Sequence, residues 1–188
     1  MSSGHHHHHR RGGGKIDADR EQELRQLLDN PQFAAAVAAY RNEDDSRDIP
    51  YLGGSDNQGT TVFFDRQFVD AIKAGKVKID GKHIDPRPAL KVHESVEGAE
   101  IRLLHFDYTR AHDIATIAER HAVAHLGWDW TKYEAALAPF IRIDERETIT
   151  NPPANLLLDP YRGTPLYGRL ATFQLRSRQN EAQHQRQH

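Results

Sequence analysis

Residues Lys91 to Glu97 read Lys-Val-His-Glu-Ser-Val-Glu, which sets His93 and Glu97 four residues apart with Glu94 beside the histidine. On a helix, residues i and i+4 share a face with Cβ atoms about 6 Å apart, a separation from which two side chains can grip one metal ion. In the zinc-peptidase pattern H-E-x-x-H, two histidines hold Zn²⁺ and the glutamate between them is the general base toward the attacking water. Here a glutamate stands where the second histidine would be. Carboxylate oxygen is itself a zinc ligand, at about 2.0–2.2 Å, so His-Glu-x-x-Glu supports the same chemistry with more negative charge at the metal.

A catalytic zinc site keeps three protein ligands and one open position, so another element must complete the set. His112 qualifies, and so does Glu119, seven residues on and therefore on the same face of a helix. Two adjacent antiparallel helices would bring His93, Glu97, His112 and Glu119 together, with Glu94 as the base; whether His112 or Glu119 is the third ligand stays open. Each residue also has an ordinary explanation, as a buried histidine bonded to a carbonyl or as part of a solvated acidic face. Glu97 nevertheless lies between Val96 and Ala99 in a core-like pattern, and carboxylates are seldom buried without partners. His121 and His125 form a rival pair at the same spacing. Ala122 stands where their general base would be, so that pair would bind a metal without a base. His83 and His105 read as surface residues.

The elements that must position these groups follow from the rest of the chain. Met1 to Gly14, with His5 to His9 consecutive and a glycine run, reads as an expression tag and linker. It holds five of the thirteen histidines; of the remaining eight, six fall between residues 83 and 125. With no cysteine in the chain, disulfides, thiolate zinc sites and cysteine nucleophiles are excluded, and any metal must be held by His, Asp, Glu and water. There is no apolar run of the ~20 residues needed to span a bilayer and no signal-peptide core, so a cytoplasmic location is expected. A net charge of −2 with both signs interspersed argues against a nucleic-acid partner. No Gly-x-Ser-x-Gly elbow, P-loop or dinucleotide fingerprint is present.

Residues 15–48 read as a helical N-terminal extension: two short helices between Asp17 and Arg41, broken at Asn30-Pro31, then an acidic linker from Asn42 to Asp48. Residues 49–150 read as one α+β domain, with a small, mainly antiparallel sheet over 50–85 packed on three helices over 86–148. Within it, Tyr51-Leu52 and Thr61 to Phe64 suit a hairpin, and Asp80-Gly81 suits the turn of a second one. Pro86 and Pro88 open the helix that carries His93, Glu94 and Glu97; Tyr108 to Leu126 forms the next, stopped by Gly127, and Asp129-Trp130 starts the third. Residues 151–188 read as an extended arm whose apolar pieces, Leu156 to Leu158 and Leu166-Tyr167, dock on the domain or on a neighbour, with a disordered polar end.

Several stretches together resemble a group of small, uncharacterised zincin-like proteins of bacteria and their phages. They are Pro50-Tyr51-Leu52-Gly53-Gly54, Val62 to Arg66, His93-Glu94-x-x-Glu97, Tyr108-x-x-Ala111-His112-x-x-Ala115-x-x-Ala118-Glu119, Gly127-Trp128-x-Trp130-x-x-Tyr133, Pro152-Pro153 and Asp159-Pro160-Tyr161. The resemblance covers residues 49 to 161. It implies a zincin-like, metallopeptidase-like domain, with His93, Glu97, His112 and Glu119 toward zinc and Glu94 as the base. The expectation is therefore a zinc-dependent hydrolase acting on a peptide or protein, with self-association through the C-terminal arm. The competing expectation is a non-enzymatic protein-binding module in which the same cluster is a structural metal site or a buried polar network.

Overall fold

The computed structural model describes residues 14–141 and 149–187. The tag-like residues 1–13, residues 142–148 at the end of the expected three-helix region, and His188 lie outside the described residues. Helix α1 (Gly14–Asp29) and helix α2 (Pro31–Ala38) meet at Asn30. The Asn30 side chain accepts from the Gln32 and Phe33 amides at 2.9 and 3.2 Å, and Pro31, which lacks an amide proton, occupies the first helical position. Leu24, Phe33 and Tyr40 are buried in the main core, so these helices pack directly onto the helices that carry the candidate site.

Strands β1 (Asn42–Asp44), β2 (Gly53–Ser55) and β3 (Thr61–Phe64) form a mixed sheet in the order β1-β3-β2. The pair β1–β3 is parallel and β2–β3 antiparallel, so the sheet is not mainly antiparallel as expected. Residues 42–44, expected within a linker, supply an edge strand instead. Its acidic side chains remain compatible with a position where one side faces solvent, while its backbone satisfies the otherwise open edge of β3. The β2 pairing starts at Gly53 rather than Tyr51, because Tyr51 and Leu52 have φ of 69° and 100°, which no strand tolerates. Asp65 anchors this strained pair of residues: its carboxylate accepts from the Ile49 amide at 2.9 Å and caps the next helix at Phe68, and its own amide donates to the Leu52 carbonyl.

Helix α3 (Arg66–Lys73) ends at Gly75, and the hairpin of β4 (Lys78–Ile79) and β5 (Lys82–His83) turns through Asp80 and Gly81, both at positive φ, as an Asp-Gly turn requires. Helices α4 (Arg87–Leu104) and α5 (Tyr108–His125) follow, linked by only three residues, with His105 in the left-handed conformation. They run antiparallel, since Glu97 meets His112 while the earlier His93 meets the later Glu119. Helix α6 (Trp130–Leu137) gives way to a 3₁₀ turn at Ala138–Phe140, where Pro139 breaks the α-helical bonding.

The sheet is covered on both faces. Along β3, Val62 and Phe64 join the main core with α4 and α5, while Phe63 points into a second core with Ile49, Tyr51, Leu156, Tyr161, Leu166 and Leu170. This is the two-residue alternation of a strand buried on both sides. The C-terminal segment thus docks on its own domain. It is not extended throughout: helix α7 spans Pro165–Arg186. Pro165 starts it, and Leu166, Leu170 and Gln174, at i, i+4 and i+8, form the stripe that it buries. That stripe was hidden in a polar sequence because it is only one residue wide.

Close packing of α4 depends on Gly98. A Cβ there would fall well inside contact distance of the Tyr40 hydroxyl and 2.8 Å from Ser55 Oγ. Replacing Gly98 by alanine should therefore destabilise the protein by about 1–3 kcal/mol in urea unfolding, although alanine is the better helix former in isolation; a stabilised variant would show that α2 and β2 do not clamp α4 at this point.

Candidate metal centre

Every residue of α4 from His93 to Ile101 is buried. A helix enclosed on all sides is expected to be apolar throughout, yet this one carries His93, Glu94, Glu97 and Glu100, exposed by 1, 3, 2 and 0%. The facing side of α5 adds His112 and Glu119, at 8 and 1%. Buried ionisable groups must find partners or lose their charge.

His93 finds two. Its Nε2 lies 3.0 Å from Glu97 Oε2, and its Nδ1 lies 2.9 Å from Glu119 Oε1. The same Glu97 oxygen is 3.2 Å from His112 Nδ1. Among the described residues, His93, Glu97 and His112 form the one group whose ligand atoms all lie within 4.8 Å of one another and can hold a metal ion. Ligands at about 2.0–2.1 Å in a tetrahedron stand about 3.3–3.4 Å apart, so two edges of this triangle, at 3.0 and 3.2 Å, already lie close to what a cation requires. Glu119, expected with these three toward the metal, lies outside that group. Its carboxylate lies against the opposite edge of the His93 ring, in ion-pair contact with Nδ1. A cation at Nε2 would take the place of the proton there and leave Glu119 behind the ring, the outer-carboxylate arrangement common behind metal-binding histidines. The Tyr133 hydroxyl in turn donates to Glu119 Oε2 at 2.8 Å.

The protonation states follow from these contacts. Burial alone would discharge His93, but the hydrogen bonds to Glu119 and Glu97 outweigh it and raise its pKa well above the usual imidazole range. Burial likewise opposes the charge on Glu97, yet bonds from His112 and His93 hold that carboxyl well below its ordinary value. An imidazolium thus takes the part of a cation between two carboxylates. Glu94 has no such support: burial, with the Glu97 charge nearby, pushes it up to about 8. The backbone of β2 passes close to it, since a Cβ on Gly53 would lie 3.3 Å from Glu94 Oε1. Around the cluster stand Tyr108, whose hydroxyl is 3.4 Å from His112 Nδ1 with the rings 5.3 Å apart, and the stacked pair Tyr51 and Tyr161. Burial first, then the glutamates, raise the pKa of both Tyr108 and Tyr161, so their phenols stay protonated.

His121 and His125 are exposed, and His121 pairs with Glu21 of α1. His83 and His105 are exposed as well, as expected. The sequence reading missed the parts played by Tyr108 and Tyr133. Tyr108 stands one helical turn before His112, a spacing that could have flagged it; Tyr133 lies on another helix and carries no local signal. No family model matches the chain, and no similar curated protein or solved structure is found. Among the described residues no helix is long and apolar enough to cross a membrane.

Glu100 is fully buried with neither carboxyl oxygen hydrogen-bonded. Burial, with repulsion from Glu97, raises it to about 10 from a usual value of 4.5. The folded protein therefore holds a proton there that the unfolded chain has lost, and stability must fall as pH climbs from about 5 toward 10. Glu100→Gln, which cannot ionise, should escape this penalty. Its stability relative to wild type should rise by roughly 3 kcal/mol between pH 4 and 7 in urea unfolding; a difference independent of pH would mean that Glu100 is not held neutral.

Proposed function

We propose that the chain is a zinc-dependent hydrolase with a zincin-like active helix, cleaving a peptide bond or a similar amide. The observation that carries this reading is that His93 and Glu97 of α4 and His112 of α5 each bring one ligand atom within 4.8 Å of the others, with Glu94 adjoining His93. His93, Glu97 and His112 would hold the ion, and imidazole with carboxylate suits Zn²⁺ among the common divalent metals. Bound zinc supplies a Lewis acid that polarises a scissile carbonyl and makes water acidic enough to attack near neutral pH.

The protein's own residues do the rest. Glu94 takes a proton from the attacking water and delivers it to the departing nitrogen. A cation in the cluster would displace the proton from His93 and favour the ionised form of Glu94, the form a base needs. Glu119, held by Tyr133, keeps the His93 ring in the orientation and tautomer that ligation requires. With one carboxylate in the inner set and another behind it, the centre is less electrophilic than a three-histidine site, which implies slow turnover or strict substrate choice. The depth of the cluster favours one second reading, a structural metal site, in which Glu94 would have no chemical task.

Removal of the tag is essential to any test, because His5 to His9 would bind metal on their own. Tag-free protein should take up one zinc per chain by elemental mass spectrometry, and His93→Ala, Glu97→Ala and His112→Ala should each abolish uptake. Glu119→Gln should retain the site with affinity lowered about 10–100-fold; uptake that ignores all three ligand substitutions would refute the centre.

Glu94→Gln separates the two readings. On a peptide-library cleavage assay it should keep the zinc and lower hydrolysis by about 10²–10⁴-fold. Cleavage equal to wild type would contradict a role for Glu94, and a folded, zinc-loaded wild type that cleaves nothing would favour the structural site.

A further inference from the structure

Charge is not evenly mixed along this chain. Residues 162 to 188 hold five arginines, Arg162, Arg169, Arg176, Arg178 and Arg186, against one acid, Glu181, and all the other acidic residues precede them. The near balance that argues against a nucleic-acid partner is therefore an average over two regions of opposite sign. In the body of the protein, basic groups are matched by acids close at hand: Arg66 meets Asp48, Lys91 meets Glu43, Arg110 meets Glu23 and Lys132 meets Asp80. Among the described residues, Arg176, Arg178 and Arg186 join no ion pair.

Helix α7 docks only by its first turns. Leu166, Leu170 and Gln174 are buried, and Gln174 Nε2 donates to the Leu156 carbonyl at 2.7 Å. Beyond that bond every residue from Leu175 to Arg186 is exposed except the half-buried Ser177. At 1.5 Å per residue this outer stretch is about 18 Å long, a length at which a helix is marginal in water on its own. It has no apolar stripe to lay on a partner helix. Nor does it hold itself by internal ion pairs, since Glu181 has Ser177 and Gln185 at the four-residue spacing. What it presents is arginine without lysine, interleaved with Gln179, Asn180, Gln183 and Gln185. Guanidinium forks suit phosphate oxygens, and side-chain amides suit the edges of bases. A bare helix about 10–12 Å across also matches the ~12 Å major groove of B-form DNA.

We propose that the outer part of α7, from Leu175 to Arg186, is a docking arm for double-stranded DNA, with Arg176, Arg178 and Arg186 on the phosphates of its backbone. The acidic body opposes the same contact, so binding is weak, sensitive to salt and tolerant of sequence. Non-specific association of this kind has dissociation constants of about 10⁻⁶–10⁻⁴ M. The proposal does not depend on the metal-dependent reading given above: it concerns where the protein is held, whatever its buried cluster does.

The test uses the protein with residues 1–14 removed, because Arg10 and Arg11 would add their own attraction, and a fluorescein-labelled duplex of about 20 base pairs and arbitrary sequence, titrated by fluorescence anisotropy from about 50 to about 200 mM salt. Combining Arg176→Gln, Arg178→Gln and Arg186→Gln should weaken binding at least about 10-fold at the lowest salt and flatten the plot of log affinity against log salt by about 3. Glu181→Gln, which removes the one opposing charge of the arm, should strengthen it. Lys78→Gln with Lys82→Gln, at exposed positions of the β4–β5 hairpin, should change neither affinity nor slope. Absence of binding by wild type at about 50 mM salt, or equal affinity and slope in the triple arginine variant, would overturn the proposal. So would a loss as large from the two lysines, which would make the attraction a property of the whole surface. If sedimentation shows wild type to be a dimer and the arginine variant a monomer, the arm docks on a second copy of this chain, and the DNA assignment is overturned.

Discussion

One imidazole, His93, set between carboxylates of two different helices, a hydrogen bond to Glu97 at Nε2 and an ion-pair contact with Glu119 at Nδ1, is what the interior of this protein is built around. Helix α4 runs through the core with nine consecutive residues buried, His93 to Ile101, and four of them can ionise. Isolated charges at such depth would each cost several kcal/mol. The cost is contained because Glu97 accepts from two histidines, Glu119 accepts from Tyr133 and lies in ion-pair contact with His93, and the carboxyls without such partners, Glu94 and Glu100, are pushed toward their neutral forms. Replacing a paired buried network with apolar side chains is often neutral or stabilising. Stability alone is therefore a weak reason to keep six ionisable groups here, and a bound cation that satisfies three of them at once is a stronger one.

Everything around α4 can be read as support for that arrangement. Helix α5 returns after only three residues, which fixes the level at which His112 and Glu119 face Glu97 and His93. Helix α6 brings Tyr133 to the back of Glu119. Gly98 lets Tyr40 and Ser55 close on the helix, and Gly53 lets the β2 backbone lie against Glu94, so two glycines set how near the chain comes to the buried acids. The C-terminal segment completes the far side of the sheet: Leu156, Tyr161, Leu166 and Leu170 cover Phe63 and Tyr51, and Asp48 ties the segment to the domain by accepting from Thr150 and Asn151. Tyr161 thereby becomes part of the wall near Glu94.

Much of this was legible in the sequence where local rules decide. The four-residue spacing of His93 and Glu97, the seven-residue spacing of His112 and Glu119, the Asp80-Gly81 turn and the Asn30-Pro31 break all depend on neighbours along the chain, and each element formed where expected. What failed depended on distant partners. Asn42 to Asp44 became a strand only because β3 offered an open edge. Tyr51 and Leu52 left the β region because Asp65 holds the chain in a strained turn. Spacing placed Glu119 on the face of α5 that meets His93 but could not tell that it would lie against the ring's other nitrogen, outside the group of His93, Glu97 and His112. Helix α7 was missed because three buried residues among so many polar ones make a faint stripe.

The central claim is that His93, Glu97 and His112 close around one divalent cation with Glu119 outside the ligand set, and X-ray absorption at the zinc K edge of tag-free, zinc-loaded protein tests it most directly. The account predicts two imidazoles, recognisable by their ring scattering, and carboxylate oxygen at about 2.0–2.1 Å, with the spectrum preserved in Glu119→Gln. A shell of oxygen without imidazole, or the loss of an oxygen from the shell in Glu119→Gln, would contradict it.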